Sequence, residues 1–106
     1  MSQLLPKSFV KTVTTAGAPV ALSSSDKVCS RFEVHFRSTN TANMYLGSVT
    51  SALSADHAPR TPNAFLCFSA GNDYNGKHHY NLKNINIDAD AAGQEVVVMY
   101  EETQST

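Results

Sequence analysis

The chain has 106 residues, a formal net charge of -1 and 16% charged residues. This length suits one domain with its own core, and the charged fraction lies below the roughly 25% of an average soluble domain. The few Lys and Arg residues form no basic stripe that could neutralise a run of phosphates, so we expect no nucleic-acid partner. No apolar run approaches the roughly 20 residues of a membrane helix, so we expect no membrane partner either.

The N-terminal sequence predicts an extended arm. Residues 1–7 place Leu4, Leu5 and Pro6 in a polar setting, which is unlike a core element. The same stretch has neither the hydrophobic run nor the cleavage site of a signal peptide, which indicates synthesis in the cytoplasm. In that compartment Cys29 and Cys67 are expected to be free thiols that serve as small buried hydrophobes.

Short runs of β-branched and aromatic residues, separated by Gly, Pro, Ser and Asn, recur along the rest of the chain. They predict strands over 8–15, 20–22, 28–37, 44–49, 64–69, 82–89 and 94–100. The predicted fold is all-β, an antiparallel β-sandwich or jelly-roll-like barrel of about 7 or 8 short strands with an extended N-terminal arm. The expected divisions are the arm (1–7), a single β-sandwich domain (8–101) and a polar tail (102–106).

The segment 28–37 alternates most regularly. One side is apolar and is predicted to face the core; its members are Val28, Phe32, Val34 and Phe36. The other side is charged; its members are Arg31, Glu33, His35 and Arg37. Because charges of both signs are interleaved there, a solvated face is the favoured interpretation over a binding stripe.

The segment 81–101 predicts a β-hairpin with its turn at 91–93. Its second strand is apolar on both faces, so it belongs in a sheet interior or against a neighbouring subunit. Asp88 and Asp90 are spaced as in a calcium loop, but the third acid and the final Glu are missing. We therefore interpret both aspartates as turn formers.

The connection 50–63 is long and contains two prolines, which exclude a helix or a central strand. Loops of this length in compact domains are often functional. Together, the arm, the strand that follows it and this loop give the candidate interface residues, which are Leu4, Leu5, Pro6, Phe9, His57, Pro59, Arg60 and Pro62.

No arrangement of residues indicates catalysis: the sequence has neither a nucleophile elbow nor a Gly-rich phosphate loop. His78 and His79 could share a metal ion only from a loop, with His57 or Asp73 as a third ligand, and a solvated loop is the favoured interpretation. We expect no enzymatic activity, no metal and no cofactor. A glycan-binding module is the alternative from another class, with Tyr74 as its best-placed aromatic platform.

Three stretches carry a recognisable pattern: 43–50 (NMYLGSVT), 60–65 (RTPNAF) and the terminal 81–101 with its DADAAG turn and valine-rich strand. Together they resemble small β-sandwich structural proteins of tailed bacteriophage virions, over about residues 28–101. Members of that family usually have Gly where Asn63 stands, and an Asp early in the terminal segment where this chain has Asn81 and Asn84.

The resemblance implies a non-enzymatic decoration or cement protein that binds and stabilises the shell of major capsid protein at the virion surface. It also implies a homo-oligomer, with a trimer favoured, since a trimer on a local threefold axis makes several contacts at high effective concentration. A tail or head-tail joint subunit is the alternative within the same structural class.

Overall fold

The computed structural model describes residues 2–48, 53, 58–69 and 80–105, without the side chains of 2–5 and 102–105. The described strands are β1 (Ser2–Val13), β2 (Val20–Ala21), β3 (Val28–Cys29), β4 (Arg31–Phe36), β5 (Met44–Gly47), β6 (Phe65–Ser69), β7 (Tyr80–Asn81), β8 (Asn86–Ala89) and β9 (Gln94–Ser105). A 3-10 turn over Leu82–Asn84 precedes β8. No helix among the described residues has the length and apolarity to cross a membrane.

The strands form two packed antiparallel sheets and a small third one. The first sheet has the order β1-β9-β4-β6, the second β2-β8-β5, and the third pairs β3 with β7. The two larger sheets enclose one core, formed by Val13, Leu22, Cys29, Phe32, Val34, Phe36, Met44, Leu82, Ile87, Ala89, Val96, Val98 and Tyr100. The predicted all-β antiparallel sandwich is therefore confirmed.

The predicted terminal hairpin is wrong. Strand β8 pairs with β2 and β5, while β9 pairs with β1 and β4, so the turn at 90–93 carries the chain from one sheet to the other. Gly93 turns the chain with φ +85°, and its N–H donates to the Val13 carbonyl at 2.8 Å. Both strands carry apolar residues that must be buried, and facing each other across the core buries them more fully than lying side by side.

Strand β1 starts at Ser2 rather than at the predicted residue 8, and it stays in register with β9 from Ser2↔Ser105 to Val13↔Gln94. The pairing between β9 and β4 ends at Phe32↔Tyr100. Residues 2–6 and 101–105 therefore form a two-stranded extension of the sheet, called here the terminal ribbon. Backbone pairing does not require alternating apolar side chains, and neither end of the chain has that alternation, so neither end was predicted to be a strand.

The predicted strand 28–37 breaks at Ser30, where the chain leaves the third sheet and enters the first. Phe32, Val34 and Phe36 face the core as predicted, but Val28 is 52% exposed because Cys29 points inward in its place. Cys29 is thus buried as expected. Cys67 is exposed, because β6 lies at the edge of its sheet and alternates Leu66 and Phe68 inward.

Candidate interaction surface

The first sheet turns one side to the core and one side to solvent, and we call the latter the outer face. Strict alternation along the strands fixes which side chains lie on it. From β1 to β6 they are Pro6, Ser8, Val10 and Thr12; Glu95, Val97, Met99 and Glu101; Arg31, Glu33, His35 and, just after β4, Arg37; then Phe65, Cys67 and Ser69.

An apolar row crosses the centre of the outer face. The register places Val10 beside Val97, Val97 beside His35, and His35 beside Phe65. Val10 is 48% exposed and Phe65 61% exposed, and Met99, one row away, is 41% exposed. The His35 ring lies nearly parallel to the Phe65 ring, with centroids 5.4 Å apart. Contiguous exposed apolar side chains rimmed by polar ones are a feature of interaction surfaces, whereas apolar residues scattered singly need no explanation.

Charged residues lie on both sides of the apolar row, and most of them are paired within the chain. Arg31 lies 3.3 Å from Glu33, and Arg37 lies 3.8 Å from Glu95. His35 Nε2 is shielded from solvent and makes no hydrogen bond, with the Glu33 carboxylate 3.6 Å away. Exposed pairs of this kind contribute little to stability. They leave the outer face close to electrically neutral, and therefore suited to a partner that is itself mixed in charge.

A shallow open depression of about 230 Å³ lies beside the first residues of β4, next to the start of the terminal ribbon. It is lined by Pro6, Arg31, Phe32, Glu33, Met99, Tyr100 and Glu101. The depression exists because β4 stops pairing with β9 while β1 and β9 continue.

Asp88 is a fully buried carboxylate in the opposite sheet, which corrects its predicted role as a turn former. Its oxygens accept hydrogen bonds from the backbone N–H groups of Gly17 at 2.9 Å, Ala89 at 2.8 Å and Leu53 at 3.0 Å. Three donors compensate a buried anion for lost water. Asp88 therefore fixes two connecting segments to β8 and has a structural function.

Asp90 lies at the surface and accepts a hydrogen bond from the Tyr45 hydroxyl at 3.0 Å. Desolvation raises the pKa of Tyr45, and the hydrogen bond and negative charge of Asp90, together with the charge of Asp88, raise it further. The neutral phenol is thus the form that the fold favours.

Two amide side chains hold the loop after β4 against the start of β9. Asn40 accepts from the Glu95 N–H at 2.8 Å and donates to the Glu95 carbonyl at 3.0 Å, as a neighbouring strand would. The buried Gln94 accepts from the N–H groups of Thr41 at 2.7 Å and Ala42 at 3.0 Å. These bonds attach the loop to the first two residues of β9.

The arm residues predicted as contacts divide between two environments. Leu4 and Leu5 lie on the terminal ribbon, paired with Thr103 and Glu102, and their side chains lie outside the described part of the structure. Pro6 is exposed and lines the depression. Phe9 instead faces inward, packs edge-on against Tyr100 at 6.0 Å, and belongs to the core rather than to a contact surface.

The loop residues predicted as contacts lie at the other end of the sheet. Pro59 is exposed, while Arg60 is half-buried and exchanges backbone hydrogen bonds with Met44 at 2.8 and 3.0 Å. Pro62 and Asn63 form a turn closed by the Ala64 N–H to the Thr61 carbonyl at 3.2 Å. His57 lies outside the described residues.

The arm and the loop are not brought together. The Asn63 N–H donates to the Phe36 carbonyl at 2.7 Å, which places the turn at the end of β4 opposite the terminal ribbon. The molecule is 44 Å in its longest dimension. Any single partner touching both would have to extend along the whole sheet.

Of the residues that the structure describes, no group of three or more His, Cys, Asp or Glu side chains could hold a metal ion. The predicted glycan platform Tyr74 and the histidine pair His78 and His79 fall outside the described residues. The interaction surface most clearly present is therefore the outer face.

Sequence reasoning found part of this surface. It predicted that the second strand of 81–101 is apolar on both faces, which includes Val97 and Met99, but it missed Val10 and Phe65. The alternation of their strands could have placed both on the outer face, because each is next in sequence to an inward-facing residue. Both lie on edge strands of the sheet.

No protein-family model matches the chain, and no curated protein and no solved structure matches it. Fold and surface together define an all-β sandwich module with an exposed, mixed apolar and charged sheet face.

Proposed function

We propose that the chain is a non-enzymatic structural protein of a tailed-bacteriophage virion, a decoration or cement protein that binds the major capsid protein. The observation that carries the proposal is the terminal ribbon, formed by both ends of the chain and projecting past β4. Five residue pairs extend about 17 Å. A projection of that length would allow the chain to contact more than one shell subunit, as a cement protein is expected to do.

The ribbon has edges that are not covered by any strand in the described part of the chain. No described strand pairs with 101–105 on the side away from β1, or with β1 on the side away from β9. Free strand edges add further strands from a partner, with main-chain hydrogen bonds supplying affinity. Leu4, Leu5 and Pro6 on the same ribbon would add apolar contact.

Composition and chemistry support the same function. The low charged fraction suits dense protein packing, and the sequence has neither a nucleophile elbow nor a Gly-rich phosphate loop. The shell position, the capsid partner and the homo-oligomer, with a trimer favoured, come from the family resemblance and remain predictions.

A ribbon deletion tests the contact surface. A variant lacking 1–5 and 102–106 should still unfold cooperatively and show a β-rich circular dichroism spectrum, because the core residues start at Phe9 and end at Tyr100. Its co-sedimentation with particles depleted of this protein should fall roughly tenfold or more. Pro59→Ser, at the opposite end of the sheet, is the matched control and should bind as the full chain does.

Undiminished binding by the folded deletion variant would remove the ribbon as the contact surface. Loss of binding by Pro59→Ser with retention by the deletion variant would assign the contact to the loop instead. Failure of the full chain to bind particles at all would contradict the proposed function itself.

A further inference from the structure

We infer that the outer face binds the same face of a second copy of this chain. The two copies are related by a two-fold axis that lies midway between the two sheets, parallel to the strands, and passes over the line between β4 and β9. The inference rests on the register and charges of the outer face. It does not depend on a contact between the terminal ribbon and a shell, and of the ribbon residues it uses only Glu101. A two-fold dimer is a different homo-oligomer from the trimer that the family resemblance implies, so the oligomeric state in solution decides between them.

The strand register determines what such an axis brings together. Rotation by 180° about it places β9 of one copy over β4 of the other and β1 over β6, while each row of residues across the sheet stays opposite the same row. Sheets packed this way lie about 10 Å apart with their strands within about 30° of parallel. The arrangement is a second sandwich layer built on the first.

Opposite charges meet at one end of this interface. Arg37 follows β4, and its N–H donates to the Glu95 carbonyl at 3.2 Å, so the two residues share a row. The rotation puts Arg37 of each copy over Glu95 of the other. With the existing 3.8 Å pair in each chain, four alternating charges then surround the axis.

The opposite end repeats this complementarity. Arg31 and Glu101 extend the register one position beyond Phe32↔Tyr100 and line the same depression. The rotation puts Arg31 of each copy over Glu101 of the other. The Arg31 guanidinium, which already pairs with Glu33, would then lie between two carboxylates.

The apolar row meets itself in the same arrangement. Val10 on β1 comes over Phe65 on β6 of the copy, and the reverse contact forms by symmetry. Val97 comes over the His35 ring that is stacked on Phe65. The most exposed apolar side chains of the first sheet are buried in pairs, which is the favourable term.

The charges also exclude the other simple two-fold arrangement. An axis across the strands would keep β9 over β9 and reverse the rows. Glu95 would then face Glu101, and Arg37 would face Arg31, so like charges would meet at both ends. Like-charge juxtaposition disfavours that arrangement, and only the axis parallel to the strands matches both charge and apolarity.

The interface is small. Four strands about 4.8 Å apart and seven residues of about 3.4 Å each give a footprint of about 450 Å² per copy. A standard interface buries about 800 Å² per partner. The dimer should therefore be weak and dependent on concentration.

Two charge-reversed variants test the geometry directly. Arg37→Glu carries two acids in the row and Glu95→Arg carries two bases, so each variant repels its own copy. When the two variants are mixed, every Arg lies over a Glu. Sedimentation equilibrium in reducing buffer should give monomers for each variant alone and a one-to-one heterodimer for the mixture, with affinity within about tenfold of the unsubstituted chain.

Lys83→Glu is the matched control, because it changes charge on an exposed residue outside the first sheet, and it should dimerise as the unsubstituted chain does. Phe65→Ser should weaken dimerisation at least about tenfold through the lost apolar contact. Cys67→Ser should change nothing, because the Cα atoms of the two Cys67 residues in this dimer are about 17 Å apart, which is too far for a disulfide. An unsubstituted chain that stays monomeric or forms a trimer, or a variant mixture that stays monomeric, would overturn the two-fold arrangement.

Discussion

Asp88 shows how a single residue can mislead a sequence reading and still be structurally decisive. Its place in a DADAAG stretch suggested a turn, because Asp, Ala and Gly near a chain reversal are turn residues. Nothing in the local sequence reveals that two connecting segments, at Gly17 and Leu53, donate to its carboxylate. Tertiary contacts, not local preference, define its function.

We predict that Asp88→Asn lowers the free energy of unfolding by about 2 to 3 kcal/mol, because the amide leaves one of three buried N–H donors without an acceptor. Asp90→Asn is the matched control. Its amide oxygen can still accept from Tyr45, so its cost should stay below about 1 kcal/mol. Urea denaturation measures both values, and equal costs would contradict the structural function of Asp88.

Tyr45 predicts a pH dependence of stability. Its pKa is raised in the fold, so the unfolded chain releases the phenol proton first. The stabilisation that results is complete below the unfolded pKa of about 10 and is lost as pH rises through the higher folded pKa.

The stability difference between the natural chain and Tyr45→Phe should therefore be constant from about pH 8 to pH 9 and should shrink above about pH 10. Urea denaturation at several pH values measures it, and the variant cancels the contributions of the other titrating groups. Two stability curves that stay parallel to pH 11, about one unit above the pKa of an unperturbed tyrosine, would show that Tyr45 is not responsible.

Asn63 illustrates a residue whose meaning became clear with the structure. The backbone at Asn63 has φ +71°, a conformation that favours Gly. Asn is among the few residues other than Gly that accept this conformation, so Asn63 suits the turn that it occupies.

At the level of elements, a strand could be predicted where apolar and polar side chains alternate along it. A strand that is paired through its backbone but lacks this alternation could not be predicted. The inward set Phe32, Val34 and Phe36 could be read directly from period two. The terminal ribbon could not, because pairing of residues 2–6 with 101–105 leaves no hydrophobic pattern. The pairing partners of the strands could not be predicted either. A short turn with Gly can connect two paired strands of one sheet or two strands in different sheets, and the sequence does not distinguish the two.

Strand β9 gives a test of the two faces with adjacent residues of one type. Val98 is fully buried, and Val97 lies half-exposed on the outer face. Val98→Ala should lower the free energy of unfolding by about 2 kcal/mol or more, through lost burial and a cavity. Val97→Ala should cost less than about 1 kcal/mol, and denaturation midpoints that reverse this order would contradict the assignment of faces.

For the molecule as a whole, the fold class followed from the sequence, but the division of surfaces did not. The predicted contacts, such as Pro6 and Pro59, lie at opposite ends of the first sheet. The rows of residues across the outer face can be recognised only when the strand order β1-β9-β4-β6 is known, because neighbouring residues in a row come from different strands. Two surfaces with different tasks emerge, a projecting ribbon proposed to contact a shell and a sheet face inferred to contact a second copy.

The most direct test of a virion function is the copy number of this chain in purified particles, measured by quantitative mass spectrometry against the major capsid protein. We predict on the order of hundreds of copies per particle, as the symmetry of a shell requires. About six or twelve copies would move the protein to the tail or the head-tail joint. Its absence from purified particles would contradict a structural role in the virion.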